Sequence, residues 1–194
     1  MMRRVVITGV GAVTPIGNTV KEMWAGVREG KCGIDKITKY DISNRKVKVA
    51  AEVKNLPVEE LVDKHDLRKM DLFCTFAMIA ADEAIADSGL SFEGEEDKCG
   101  VIVSSGIGGI STIEKEYSKG LEKGFDRVSP YFIPSVITNM AAGRIAIKHN
   151  LQGMCSCVVT ACAGGTNAVG DSFRQIRDAV SYTHLRAHET RSNL

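Results

Sequence analysis

The chain has 194 residues, 44% hydrophobic and 25% charged, with 25 Lys and Arg against 24 Asp and Glu and a formal net charge of +1. That length supports one domain with a real core, and the near-balance of charge gives no global reason to expect nucleic acid or an anionic membrane as partner. Arg3 and Arg4 precede only a short apolar run broken at Thr8, too short for a signal peptide or a membrane span.

Six cysteines are present (Cys32, Cys74, Cys99, Cys155, Cys157 and Cys162), but no C-x-x-C pair occurs. No metal site is expected, and free thiols in a reducing, cytoplasmic setting fit this usage best.

In chain order, Val5-Val-Ile-Thr-Gly9 predicts a buried first strand. Gly9-x-Gly11 invites comparison with a dinucleotide-binding fingerprint. Thr14-Pro15 stands where its third glycine would be, however, and no acidic residue closes a second strand about twenty residues on. A nicotinamide-dependent oxidoreductase is disfavoured, and no cofactor is expected.

Asn18 or Thr19 caps a helix running through Trp24 and Val27 to Gly30, followed by mixed loop and short strand to about Val53. Pro57 starts a short helix over Glu59 to Val62. Lys64 to Lys69 is a basic cluster at the entry of a long apolar helix, from about Met70 to Ser88, closed by Gly89. With so little polar face, that helix should lie between layers with only its start exposed.

Cys99-Gly-Val-Ile-Val-Ser104 predicts a second core strand, leading into Ser105-Gly-Ile-Gly-Gly109 and a polar helix through Ile113, Tyr117 and Leu121. Ser129-Pro130 and Pro134 mark helix starts, with one helix expected from Ser135 to about His149. His149 reads as an ordinary cation at a helix C-terminus.

Val158, Val159 and Thr160 form a β-branched run that breaks into small residues and Gly164-Gly165, after which a helical pattern follows in Ala168, Val169, Phe173 and Ile176. The reading is strand, tight turn, helix, with Cys162 at the turn and Cys155 and Cys157 in a buried strand. A cysteine at the first turn of a helix meets unpaired N–H groups and the positive end of the dipole, which favour thiolate over thiol. Small neighbours leave room for a substrate carbonyl, so acyl transfer suits the geometry. Inert packing is the commoner role of a free cysteine, and the local pattern leaves both readings open. The alternation of strands and helices argues for α/β with a mainly buried sheet.

Thr160-Ala-Cys162-Ala-Gly-Gly165 followed by Asn167 resembles the active-site segment of the β-ketoacyl-acyl-carrier-protein synthases, most of all the long-chain type II condensing enzymes of fatty acid synthesis. Val5 to Gly17, Arg68-Lys-Met-Asp71, Ser104 to Gly109 and Pro134 to Met140 carry the likeness in the same order, from Arg3 to about Ala179. The resemblance implies a thiolase-like layered αβαβα fold of two similar halves, of which residues 1–179 make most of the first. It implies that Cys162 accepts the acyl group, that Ile107 lines and gates the acyl pocket with Phe132 as a wall, and that Lys64, Arg68 and Lys69 dock an acidic acyl carrier protein. It also implies a homodimer, with acyl- and malonyl-loaded carrier protein as partners and no nucleic acid or membrane. Two histidines and a lysine that the family takes from its second half are absent, so this chain alone is not expected to condense. A polyketide-type ketosynthase, or a non-catalytic partner subunit of the kind that lacks the cysteine, are the alternatives; Cys162 argues against the second.

Beyond Ala179 the likeness stops in mid-unit. Val180-Ser-Tyr-Thr-His-Leu-Arg-Ala-His-Glu-Thr190 matches the translation, in one frame, of a transposon-type sequencing-library adapter, and residues 180–194 are expected to be non-native. Removing them takes the net charge from +1 to 0, and His184 and His188, four apart, are assigned no role.

Overall fold

The computed structural model describes residues 4–178 and the backbone of residues 183–188. Helix α4 (Leu72–Ser88) is its axis. Asp71 caps its start by accepting the Phe73 N–H, and Gly89, with φ 62, closes it in the left-handed region. Between these ends Phe73, Cys74, Met78, Ile79 and Ala81 are buried, as the apolar run predicts. They pack in one cluster with Val101 and Val103 of β3 (Cys99–Ser104) and with Ala141, Ala142 and Ile145 of α7 (Met140–Lys148). The start of the helix, expected to be its one exposed part, is however buried at Met70, Asp71 and Phe73, and the exposed end is the C-terminal one, at Ala86 and Asp87.

Strand β3 is the centre of a three-stranded parallel sheet and is buried at all its positions. On one side it pairs with β4 (Cys155–Val158), from Val101 opposite Cys155 to Ser104 opposite Val158. On the other it pairs with β5 (Thr183–His188). Parallel neighbours need crossovers. Helices α5 (Ile110–Lys123), α6 (Phe132–Val136) and α7 supply the first, and α8 (Gly164–Arg177) the second. Ahead of α4 stand α1 (Val20–Arg28), capped by Thr19, an antiparallel pair β1 (Ile34–Lys36) and β2 (Val49–Ala51), and the single turns α2 (Val58–Leu61) and α3 (Lys64–Leu67).

The few acids of α4 each hold a neighbour. Glu83 accepts the Ala12 and Val20 N–H groups, both at 2.9 Å, and Asp87 accepts the Val10 N–H at 3.0 Å. Asp82 pairs with Lys148 at 2.6 Å and with His149 at 2.7 Å, at the end of α7. His149, at the C-terminal end of α7, is thus an interhelix partner of α4.

Three further sequence expectations are corrected. Residues 5–9 form no strand, and Val6 and Ile7 are 57% and 84% exposed. The β3 edge opposite β4 is held by residues 183–188, which belong to the segment expected to be non-native, and the segment after Gly9 lies flush on α4, where a Cβ at Gly11 would collide with the Ala80 carbonyl oxygen. The helix expected from Ser135 to His149 is two, because the Val136 carbonyl accepts the Gly109 N–H at 2.9 Å and Ile137 turns extended. Pro134 falls in the first turn of α6, where its missing N–H costs nothing. Finally β4 is an edge strand: Cys155 and Val159 are exposed, and Thr160 belongs to the turn. Within the tail, residues 183–188 are extended; residues 179–182 and 189–194 lie outside the described residues.

Replacing Glu83 with Ala strands two backbone donors and is expected to cost about 2 kcal/mol. Glu93→Ala, at an exposed position, should stay within about 0.5 kcal/mol. Thermal denaturation of the purified variants checks both, and equal melting temperatures would contradict the clamp.

Candidate active site

Cys162 sits in a single 3-10 turn, Ala161–Ala163, between β4 and α8, and is exposed. Ala161 has φ 47, a left-handed conformation that costs a residue with a Cβ about 1–2 kcal/mol. The chain therefore turns sharply just before the sulfur. The turn uses the N–H groups of Ala163, bonded to the Thr160 carbonyl, and of Gly164, bonded to that of Ala161, and not the N–H of Cys162.

The helix that follows starts hard against the sheet. Gly164 is buried, and a Cβ there would overlap the Ser104 hydroxyl at the end of β3. Gly164 is thus required for packing. Cys162 lies at the carboxyl ends of parallel strands, the end where open α/β sheets bind ligands. The thiol of Cys155, at the opposite end of β4, is pushed above its ordinary value by partial desolvation, although the residue is exposed at the strand edge.

The parallel register brings a second loop to the same end. Ser104 and Val158 are level, so the loop leaving β3 with Ile107 and the turn leaving β4 with Cys162 emerge side by side. Ile107 is 45% exposed. Phe132 is the first residue of α6 and is half-buried; the far end of α6 is fixed to the same loop through Gly109 and Val136.

The basic cluster is less uniform than its sequence. Lys64 opens α3 and pairs with Glu59 at 3.4 Å, both side chains more than 70% exposed, a pair of the kind worth about 0–1 kcal/mol and easily exchanged. Arg68 is exposed at the end of α3. Lys69 is half-buried, with its ammonium 5.2 Å above the Tyr131 ring and 3.4 Å from His65 Nδ1. Arg144 of α7, which sequence reasoning did not single out, donates to the Lys69 carbonyl at 3.2 Å and pairs with Asp66 at 3.4 Å. Nothing in its local pattern marks it. Among the described residues no three His, Cys, Asp or Glu side chains could hold one metal ion, and no helix is long and apolar enough to cross a membrane.

Solved structures share this architecture. The ishigamide ketosynthase/chain length factor superposes with a TM-score of 0.82 at 27% identity, over 93% of this chain and 46% of that one. A β-ketoacyl synthase from Burkholderia phymatum STM815 gives 0.80 at 24% identity, over 93% and 45%. The fold is that of the thiolase-like ketosynthases, in its first half.

The family described as "Beta-ketoacyl synthase, N-terminal domain" matches residues 2–181, and the chain belongs to it. It is 43% identical over 180 residues to 3-oxoacyl-[acyl-carrier-protein] synthase 2 of Synechocystis sp., and 44% identical over 176 residues to the protein of that name from Staphylococcus aureus strain COL. These matches take in 92% and 90% of this chain but only 43% and 42% of the relatives, so the chain spans less than half their length.

Gly164→Ala is expected to lower stability by about 1–3 kcal/mol by lifting α8 off β3, whereas Gly106→Ala, with nothing within 4 Å of the added carbon, should be close to neutral. Melting temperatures of the two variants decide it; a neutral Gly164→Ala would contradict the packing described.

Proposed function

We propose that the full-length protein carrying this half is a 3-oxoacyl-[acyl-carrier-protein] synthase of fatty acid biosynthesis, with Cys162 as its acyl acceptor. The observation that carries the reading is the exposed Cys162 on a strained turn at the carboxyl end of a parallel sheet, in a chain 43–44% identical to enzymes of that name. The Cys162 thiolate attacks the acyl thioester on the carrier protein; the Cys162 Sγ–acyl bond forms and the carrier's thiol leaves. Malonyl carrier protein then loses CO₂, the resulting carbanion attacks the acyl carbon, a carbon–carbon bond forms, and Cys162 leaves as thiolate. The Cys162 N–H stabilises the oxyanion in both steps. Ile107 lines and gates the acyl pocket and Phe132 forms a wall.

Decarboxylation calls on two histidines and a lysine from the second half of the fold, so this chain alone is inactive in condensation. Val6, Ile7, Trp24, Ile133 and Ile147, each more than half exposed, support a large apolar surface that the rest of the protein covers. The open edge of β4, with Met154 and Val159 exposed, supports a homodimer. Unpaired cysteines at Cys32 and Cys155 suit a reducing, cytoplasmic compartment.

Lys64, Arg68 and Lys69 form the docking face for acyl carrier protein. A related ketosynthase, 21% identical, has been solved with its acyl-carrier protein, and that complex supports the choice of partner. Exposed cations opposite an acidic partner act on encounter and are screened by salt.

The test is condensation by the full-length protein with acyl- and malonyl-loaded carrier. Cys162→Ala should abolish product, and Arg68→Glu should raise KM for the carrier about tenfold with kcat nearly unchanged, an effect that shrinks as salt rises. Product from Cys162→Ala would overturn the reading.

Residues 180–194 are, on this account, a non-native tail of 15 residues; the family match ending at residue 181 supports this. Pairing of residues 183–188 with β3 runs through the main chain and makes few demands on sequence. The genomic sequence of the native locus past codon 179 should depart from Val180 onward, and finding the same tail there would sink the idea.

A further inference from the structure

Asp71 is only 5% exposed, and both its carboxylate oxygens are used. Oδ1 accepts the Phe73 N–H at 3.3 Å; Oδ2 accepts the N–H of Thr112 at 2.9 Å and its hydroxyl at 2.6 Å. Thr112 is the third residue of α5, the place to which a helix cap ordinarily delivers its oxygen. The residue at the cap position of α5 is Gly109, which has no side chain to offer. Nor could it carry one, since a Cβ there would stand 2.8 Å from the Asp71 Cβ. Asp71 therefore caps its own helix and, from 41 residues away, α5.

The loop that α5 terminates is the one bearing Ile107. It is pinned by Ser105, whose hydroxyl accepts the Gly108 N–H at 3.0 Å, by the Gly109 bond to Val136, and by Asp71. On its other side Asp71 is separated from the basic cluster by Met70 alone. There Lys69 is held through its carbonyl by Arg144 and through its ammonium by Tyr131, the residue before Phe132.

We propose that Asp71 is a positioning residue that sets where Ile107 stands, and through it which acyl-chain lengths the site accepts, while tying that loop to the Lys64–Lys69 face. The inference rests on the reading of Ile107 as the residue lining the acyl pocket. Asp71→Asn keeps the shape but replaces one acceptor oxygen by a donor, so one of the two capped N–H groups meets an N–H instead. Thr112→Val removes only the hydroxyl.

The experiment compares initial condensation rates of the full-length protein on carriers loaded with a short and a long acyl chain. Asp71→Asn should change the long-to-short rate ratio about fivefold or more, consistent with loss of a buried charge-assisted bond. Thr112→Val should change it in the same direction by about twofold, with KM for malonyl carrier nearly constant in both. If Asp71→Asn fails to fold, the Thr112→Val ratio decides. Variants that melt lower but keep the wild-type ratio would reduce Asp71 to a structural cap and overturn the inference alone. A wild-type protein without Cys162-dependent condensation would overturn the reading of the site, and this inference with it.

Discussion

The parallel pairing of β3 with β4 governs everything at the candidate site. Four residue pairs, from Val101 with Cys155 to Ser104 with Val158, bring the ends of two strands level. Their two loops, one bearing Ile107 and the other Cys162, then have no choice but to emerge together. A slip of one residue would put β4's side chains on the opposite face and lift the turn away from the Ser104 hydroxyl that Gly164 is shaped to meet. Because β3 is buried at every position and β4 is not, the pair has one fixed strand and one open edge.

Helix α4 turns that local geometry into a global one. Its apolar residues fill the core beneath the sheet, and its acids reach outward: Asp71 to α5, Asp82 to α7, Glu83 and Asp87 to the N-terminal segment. Each bond to a backbone N–H satisfies a donor that the loops would otherwise leave unpaired. Large apolar residues such as Ile7, Trp24 and Ile147 stay exposed outside the core cluster, and the chain spans less than half the length of the relatives it matches.

Local pattern carried much of this in the sequence. The apolar run ended by Gly89 defined α4 to within two residues of its start, and Cys99 to Ser104 is the strand its β-branched run predicts. The strand, turn and helix around Cys162 were readable from small residues following a β-branched run. The failures were all non-local. Val5 to Gly9 has strand composition, but the β3 edge opposite β4 is held by residues 183–188, and the break between α6 and α7 comes from a carbonyl claimed by Gly109. At the site, the left-handed Ala161 and the Asp71–Thr112 bond have no signature in the residues beside them. The pairing of Lys64 with Glu59 likewise required knowing how α2 and α3 are set together.

Transfer of an acyl group to the Cys162 sulfur is the step on which the proposed function stands. Its most direct test is the intact mass of the full-length protein after incubation with acyl-loaded carrier protein and no malonyl partner. The expected result is a gain of one acyl group, released by hydroxylamine as a thioester and mapped to the peptide containing Cys162. No adduct, or an adduct on any other residue, would contradict it.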